Sequence, residues 1–179
     1  MQLRVFGRTG MPLSVLGFGC GAVGGLMVRG DAADQERTIA RAIAAGVNYF
    51  DTAVQYGDGE SEKNLGRVLQ KLKPANVVVG TKVRLPASET GRINDAVRIS
   101  LEGSLARLRL DRVDILHLHN PITENGGGSA LSARRNSSRQ GRSRPAAQWM
   151  NARCLWALAR SLSPRPSLIA PWKLLADSA

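Results

Sequence analysis

The strongest constraint on the fold is a repeated unit of an apolar strand, a loop and an amphipathic helix in the first two thirds of the chain. Apolar segments at 15–19, 47–51, 77–83 and 113–119 predict four strands. Strands that alternate with helices in this way form a parallel sheet that is covered by helices on both faces. The sequence therefore predicts an α/β fold.

Helices are predicted between these strands, at 34–46, 61–69 and 93–108. The last has an apolar stripe of Ile93, Ala96, Val97, Leu101, Leu105 and Leu108, with Arg98, Glu102, Arg107 and Arg109 off it. Near the start of the second helix, Asp58, Glu60 and Glu62 are expected to be either a solvated acidic rim or charges at the helix start. Before the first strand, segments 3–6 and 12–15 predict a small hairpin.

Chemically active residue types lie where the predicted strands end. Asp51 ends the second strand, Lys82 is next to last in the third, and His119 ends the fourth. Tyr56 lies in the loop after the second strand. In (β/α)8 barrels the active site is built at the carboxyl ends of the strands and in the following loops. We therefore expect these four residues to meet at one mouth.

The motifs at these strand ends are Phe50-Asp51-Thr52-Ala53 with Tyr56-Gly57, Gly80-Thr81-Lys82, and Asp114 followed by His119 and Pro121. Together with the hairpin, they make residues 3–123 similar to the aldo-keto reductase family. The resemblance implies a (β/α)8 TIM barrel, here an incomplete one of about four βα units, with NADPH (or NADH) as cofactor. It also implies reduction of an aldehyde or ketone to an alcohol, or the reverse, by Asp51, Tyr56, Lys82 and His119.

Carbonyl reduction requires a hydride on carbon and a proton on oxygen, which explains the four residue types. Tyr56 is the candidate acid, and a nearby ammonium such as Lys82 would stabilise the phenolate that remains. Asp51 would hold Lys82 charged and in place. His119 would orient the carbonyl oxygen through a hydrogen bond.

Taken singly, each of these residues has a structural explanation. A strand-end Asp51 can cap a helix, Tyr56 can cover apolar surface, and Lys82 can be solvated. His117 lies on the same strand face as His119, one layer deeper, and is predicted to pack in the core. The combined spacing favours the catalytic interpretation, with His119 preferred because it is nearer the mouth.

A glycine-rich segment follows the first strand and matches the dinucleotide-binding pattern G-x-G-x-x-G at residues 19–24. That pattern requires a helix to begin at the third glycine, whereas residues 25–31 are predicted to continue as a loop. We therefore expect a turn at the barrel mouth beside the nicotinamide or substrate. The candidate cofactor-binding residues are Gly19, Cys20, Gly21 and Asp51.

The composition changes after Gly128, which predicts a half-barrel domain at 1–128 and a separate tail at 129–179. Residues 1–128 contain 16 Lys and Arg against 13 Asp and Glu, whereas the tail contains 9 against 1. A shifted reading frame in GC-rich DNA would produce such an Arg-rich sequence; a genuine, disordered basic extension that binds an acidic partner is the alternative. Sequencing the coding DNA across 126–144 distinguishes the two hypotheses. A nucleic-acid partner is not expected, because the tail lacks a lysine-rich patch and a folded module.

Length limits the prediction, because a (β/α)8 barrel takes about 250 residues and this chain has 179. We expect a truncated barrel that lacks part of the cofactor site, has little activity, and exposes sheet edges through which it could self-associate or bind a partner. No apolar run is long enough to span a membrane, and a cytoplasmic location is expected.

Overall fold

The structure, a computed structural model, describes residues 1–85, 93–123 and 131–132, with side chains at 1–85 and 93–121. The strands are β1 (Leu3–Val5), β2 (Pro12–Ser14), β3 (Phe18–Gly19), β4 (Tyr49–Asp51), β5 (Val78–Val83), β6 (Ile115–Leu118), β7 (Ile122–Thr123) and β8 (Leu131–Ser132). The helices are α1 (Leu26–Arg29), α2 (Ala32–Ala44), α3 (Glu60–Leu72) and α4 (Ile93–Leu108). Within this part of the chain, no helix is long and apolar enough to cross a membrane.

The central sheet has four parallel strands in the order β3-β4-β5-β6, so each strand lies beside its neighbour in the chain. The register aligns Gly19 with Asp51 and Asp51 with Gly80. β1 and β2 form the predicted antiparallel hairpin. The prediction of an α/β barrel-type fold with about four βα units and an N-terminal hairpin is confirmed.

The main core lies between the sheet and its helices. Phe50 and Val79 come from adjacent strands, and Ile39, Leu65 and Leu108 come from the three long helices. Because side chains alternate along a strand, Tyr49 and Asp51 lie on the sheet face opposite Phe50. Among the described residues, one face of the sheet therefore carries the core and the other face is available for a site, so the expectation of helices on both faces was wrong.

Helices α3 and α4 pack closely at Gly66. A Cβ at this position would lie 2.6 Å from the carbonyl carbon of Leu108 and would also overlap its oxygen. Glycine is a poor helix former, so its place in the middle of α3 reflects this close approach of the α4 backbone.

Two local expectations were wrong. Residues 25–31 were expected to be a loop, but α1 begins directly after Gly25, which has a positive φ of 70°. Ile93 was expected on the buried stripe of α4 but is 44% exposed. In the predicted tail, the described residues form the two-residue strand β8, which pairs in parallel with β7. The rest of the tail, from residue 133, lies outside the described residues.

We predict that Gly66→Ala lowers the free energy of unfolding by about 1–3 kcal/mol, because the added methyl group overlaps the α4 backbone. Gly103→Ala in α4 is the matched control. Its Cβ would meet only the guanidinium of Arg107, at 3.2 Å, so the better helix propensity of alanine should leave stability equal or slightly higher. Urea unfolding followed by circular dichroism measures both. Equal stability of the two variants would contradict the packing argument.

Candidate active site

The four predicted catalytic residues lie at the carboxyl end of the sheet. Asp51 ends β4, Lys82 lies near the end of β5, and His119 directly follows β6. Lys82 Nζ donates hydrogen bonds to Asp51 Oδ2 at 2.6 Å and to the carbonyl oxygen of Thr52 at 2.9 Å. Its side chain is only 12% exposed, so this charge-assisted pair is partly shielded from water.

Tyr56 lies against this ion pair in the loop between β4 and α3. The Nζ atom of Lys82 is 4.6 Å from the centre of the Tyr56 ring, a cation–π distance. The imidazole of His119 meets the same ring edge-on, with 5.9 Å between ring centroids. The structure thus brings together all four residues that the sequence placed at one mouth. Among the described residues, none forms a hydrogen bond with the Tyr56 hydroxyl.

His119 is oriented by residues that the sequence analysis did not single out. Its Nδ1 atom lies 2.8 Å from Gln55 Oε1. The next residue, Asn120, uses its side-chain amide to bind both the backbone N–H and the carbonyl oxygen of Leu85. Burial, together with the charges of Lys82 and Arg84, lowers the pKa of His119 below its ordinary value. The ring is therefore neutral at neutral pH.

The glycine-rich turn lies beside the four candidate catalytic residues. Gly19 and Gly21 face the mouth, whereas Cys20 does not. A Cβ at Gly19 would have no neighbour within 4 Å, so the backbone is open at this point of the mouth. Gly21 approaches the edge of the Tyr56 ring. Cys20 is buried in the core, and burial raises the pKa of its thiol to about 12. Its side chain therefore remains a neutral thiol directed away from the mouth.

A second cluster lies on the other side of Asp51. The Tyr49 hydroxyl is 3.3 Å from Asp51 Oδ1 and 3.0 Å from His117 Nε2. The expectation that His117 packs in the core was wrong, because its side chain is 39% exposed and makes a polar contact. No local pattern in the sequence indicates the pair, since the contact joins strands that are 68 residues apart.

Ser61, in the first turn of α3, forms hydrogen bonds with the residues that directly follow β3 and β4. Ser61 Oγ donates to the carbonyl oxygen of Cys20 at 2.8 Å, so Thr52 Oγ1 donates to Ser61 Oγ, also at 2.8 Å. Thr52 in turn supplies the carbonyl that binds Lys82. One serine therefore ties the end of β3 to the strand end beside the ion pair.

Of the two alternatives for Glu62, the helix-start charge is confirmed, because the residue lies in the first turn of α3. The solvated rim is wrong, because its side chain is 0% exposed. Oε1 accepts a hydrogen bond from Thr81 Oγ1 at 2.5 Å, and Oε2 accepts one from Arg107 Nε at 2.6 Å. The carboxylate is buried because two elements, β5 and α4, supply its partners. Arg107, predicted to lie off the packed stripe of α4, is one of them.

Parallel strands in chain order, with a polar cluster at their carboxyl ends, are the arrangement found in (β/α)-barrel proteins. The model of the aldo/keto reductase family matches residues 15–141. The chain belongs to this family.

Individual relatives agree with this assignment. The chain is 37% identical over 121 residues to L-galactose dehydrogenase of Arabidopsis thaliana, covering 66% of this chain and 38% of that protein. A probable voltage-gated potassium channel subunit beta of Oryza sativa subsp. japonica is 31% identical, with 68% and 38% covered. The solved glycerol dehydrogenase of Gluconobacter oxydans is 36% identical, with 66% and 39% covered and a TM-score of 0.53. The chain thus spans less than half the length of these relatives.

We predict that Glu62→Ala lowers the free energy of unfolding by about 1–3 kcal/mol, because the buried Thr81 hydroxyl loses its acceptor and the partly buried Arg107 loses its ion pair. Glu60→Ala is the matched control. Glu60 lies two residues earlier, exposed and paired with Lys63, so its loss should cost about 0.5 kcal/mol or less. Chemical denaturation measures both changes. If the two variants lose similar amounts of unfolding free energy, the buried pair stabilises the fold no more than the exposed pair does.

Proposed function

We propose that the described residues form the acid–base part of a carbonyl reductase site, which reduces an aldehyde or ketone to an alcohol, or runs in reverse, with NADPH (or NADH). The observation that carries this proposal is the Lys82–Asp51 ion pair against the face of Tyr56, with His119 at the ring edge. The family of the chain and its similarity to a dehydrogenase support an oxidoreductase.

Tyr56 donates its hydroxyl proton to the carbonyl oxygen as negative charge develops there. When bound, the nicotinamide supplies a hydride to the carbonyl carbon. The ammonium of Lys82 stabilises the phenolate that remains after proton transfer, because the positive charge lies against the ring. Asp51 keeps that ammonium in place through the 2.6 Å contact. In the alcohol-oxidising direction, the same phenolate accepts the hydroxyl proton.

The glycine-rich turn fits the nicotinamide end of the cofactor. The open backbone at Gly19 and the absence of a side chain at Gly21 leave room for a flat ring beside Tyr56 and Asp51. Because the Cys20 side chain is buried, this residue would contribute backbone only. The choice between NADPH and NADH involves the adenosine end, to which we assign none of the described residues.

The tautomer of His119 decides what it offers to a substrate. A neutral imidazole has one N–H, and donation to a carbonyl oxygen requires that it lies on Nε2. Gln55 must then turn its side-chain amide over, so that an N–H instead of Oε1 lies 2.8 Å from Nδ1. We propose that Gln55 selects the Nε2–H form in the reactive state and so positions a small carbonyl or alcohol substrate.

We further propose that this chain alone has low activity, because the described residues supply the acid–base groups but no clamp for the rest of the cofactor. Like the activity, the cytoplasmic location expected from the sequence is a proposal.

Tyr56→Phe is the variant that tests the function. It keeps the ring beside Lys82 and removes the proton donor, so we expect the NADPH-dependent reduction of small aldehydes and ketones to fall by about 100-fold or more. Loss of cofactor absorbance over time measures the rate. Ile99→Ala on the exposed side of α4 should keep the wild-type rate.

A residual rate that is unchanged by Tyr56→Phe would exclude Tyr56 as the acid. Titration of the chain with NADPH, followed by cofactor fluorescence, tests the second part of the proposal. Weak binding, well above micromolar, is expected, and micromolar binding would contradict the proposal of a partial cofactor site.

A second candidate function is that of a non-catalytic half-barrel that self-associates. The hairpin and the segment after it expose large apolar side chains, including Val5 at 62% and Leu16 at 60%. The outer edges of β3 and β6 are unpaired within the described sheet. Such apolar surface and open edges favour association with a second chain.

This second function predicts a discrete dimer in sedimentation velocity. The double variant Val5→Asp and Leu16→Lys should sediment as a monomer, because charges replace the exposed apolar side chains. Ile99→Asp, on exposed α4 surface, is the control and should remain dimeric. A monomeric wild-type chain would exclude this function.

A further inference from the structure

Tyr49 occupies a niche formed by Gly17, directly before β3, and Gly80 in β5. A Cβ at Gly17 would lie 2.8 Å from Tyr49 Cδ1, and a Cβ at Gly80 would lie 2.8 Å from the Tyr49 hydroxyl oxygen. Glycine at both positions therefore lets the ring lie along the sheet. From β4, its hydroxyl reaches across β5 to His117 on β6.

The hydroxyl bridges His117 and the candidate catalytic carboxylate. It lies 3.0 Å from His117 Nε2 and 3.3 Å from Asp51 Oδ1. The imidazole itself is 3.9 Å from the same carboxylate oxygen, too far for a direct hydrogen bond. The other oxygen, Oδ2, binds Lys82. Both oxygens of Asp51 are thus engaged, one by the ammonium and one by the phenol.

We propose that Tyr49 and His117 are positioning residues, which fix the carboxylate of Asp51 so that it holds Lys82 against Tyr56. This inference rests on the proposed function. The chain of hydrogen bonds runs from His117 Nε2–H to the Tyr49 oxygen, and from the Tyr49 hydroxyl to Asp51 Oδ1. From there the restraint passes through Asp51 Oδ2 to the ammonium.

The protonation states agree with this direction of donation. Burial and the nearby Asp51 carboxylate raise the pKa of Tyr49 well above its ordinary value, so its hydroxyl keeps the proton that it donates. Burial lowers the pKa of His117; the facing carboxylate of Asp51 opposes this effect, while Lys82 and His119 add to it. A neutral His117 carries a single N–H, which the contact with Tyr49 assigns to Nε2.

Tyr49→Phe separates the hydrogen bonds from packing, because phenylalanine fills the same niche without the hydroxyl. The full chain has two histidines, so its nitrogen spectra contain two imidazoles, and His119→Asn assigns them. We expect His117 to be mainly the Nε2–H tautomer in the wild-type chain and a mixture in Tyr49→Phe. Hydrogen exchange at the Lys82 ammonium should become about tenfold faster, because Asp51 loses one of its restraints.

Two variants control the experiment. Tyr56→Phe removes the other tyrosine hydroxyl of the chain and should leave the His117 tautomer unchanged. His117→Gln retains an amide N–H near the position of Nε2 and should keep the slow exchange at Lys82, whereas His117→Leu should lose it. Near-ultraviolet circular dichroism checks that every variant is folded.

An unchanged tautomer in Tyr49→Phe overturns the proposal. A changed tautomer with unchanged hydrogen exchange at Lys82 also overturns it, because Tyr49 would then not restrain Lys82 through Asp51. These measurements require no turnover, so they decide the proposal even if the carbonyl reductase function fails. Where turnover is measurable, kcat of Tyr49→Phe should fall about tenfold with KM unchanged, as loss of alignment without loss of binding predicts.

Discussion

The hydrogen bonds of the buried Glu62 carboxylate are the interaction on which the geometry of the described fold depends. A charge removed from water costs several kcal/mol unless it is paired and hydrogen-bonded. Thr81 and Arg107 supply those partners from β5 and α4, so both elements must be in place around α3 before the cost is offset. Thr81 directly precedes Lys82 in the chain. The contact that fixes the packing of the helices therefore also fixes the strand that presents the ammonium.

The parts of the fold that could be predicted are those in which a local pattern has a single physical cause. Apolar strands alternating with amphipathic helices require a sheet covered by helices. The structure contains such a sheet, with four parallel strands. Because parallel strands carry functional groups at their carboxyl ends, the meeting of Asp51, Lys82 and His119 was also predictable. Position along the strand was sufficient for this inference, without any knowledge of the side-chain partners.

The parts that could not be predicted depend on contacts between distant residues. Glutamate is normally a surface residue, and nothing near Glu62 in the sequence indicates that Arg107, 45 residues away, is its partner. Glycine-rich sequence disfavours helix, so α1 was missed, although it lies where α2 and α3 pack against it. His117 lies at an apolar position in the alternation of its strand. Its polar role depends on the hydrogen bond with the Tyr49 hydroxyl, which the local sequence does not indicate.

The niche around Tyr49 also restricts the order in which this sequence can change. Its ring occupies the volume that side chains at Gly17 and Gly80 would require. A larger residue can therefore be accepted at position 80 only after residue 49 has become smaller, whereas the reverse order places two side chains in one volume. The residues at positions 17, 49 and 80, which are far apart in the chain, are therefore expected to change together. Lineages that retain the tyrosine should retain both glycines.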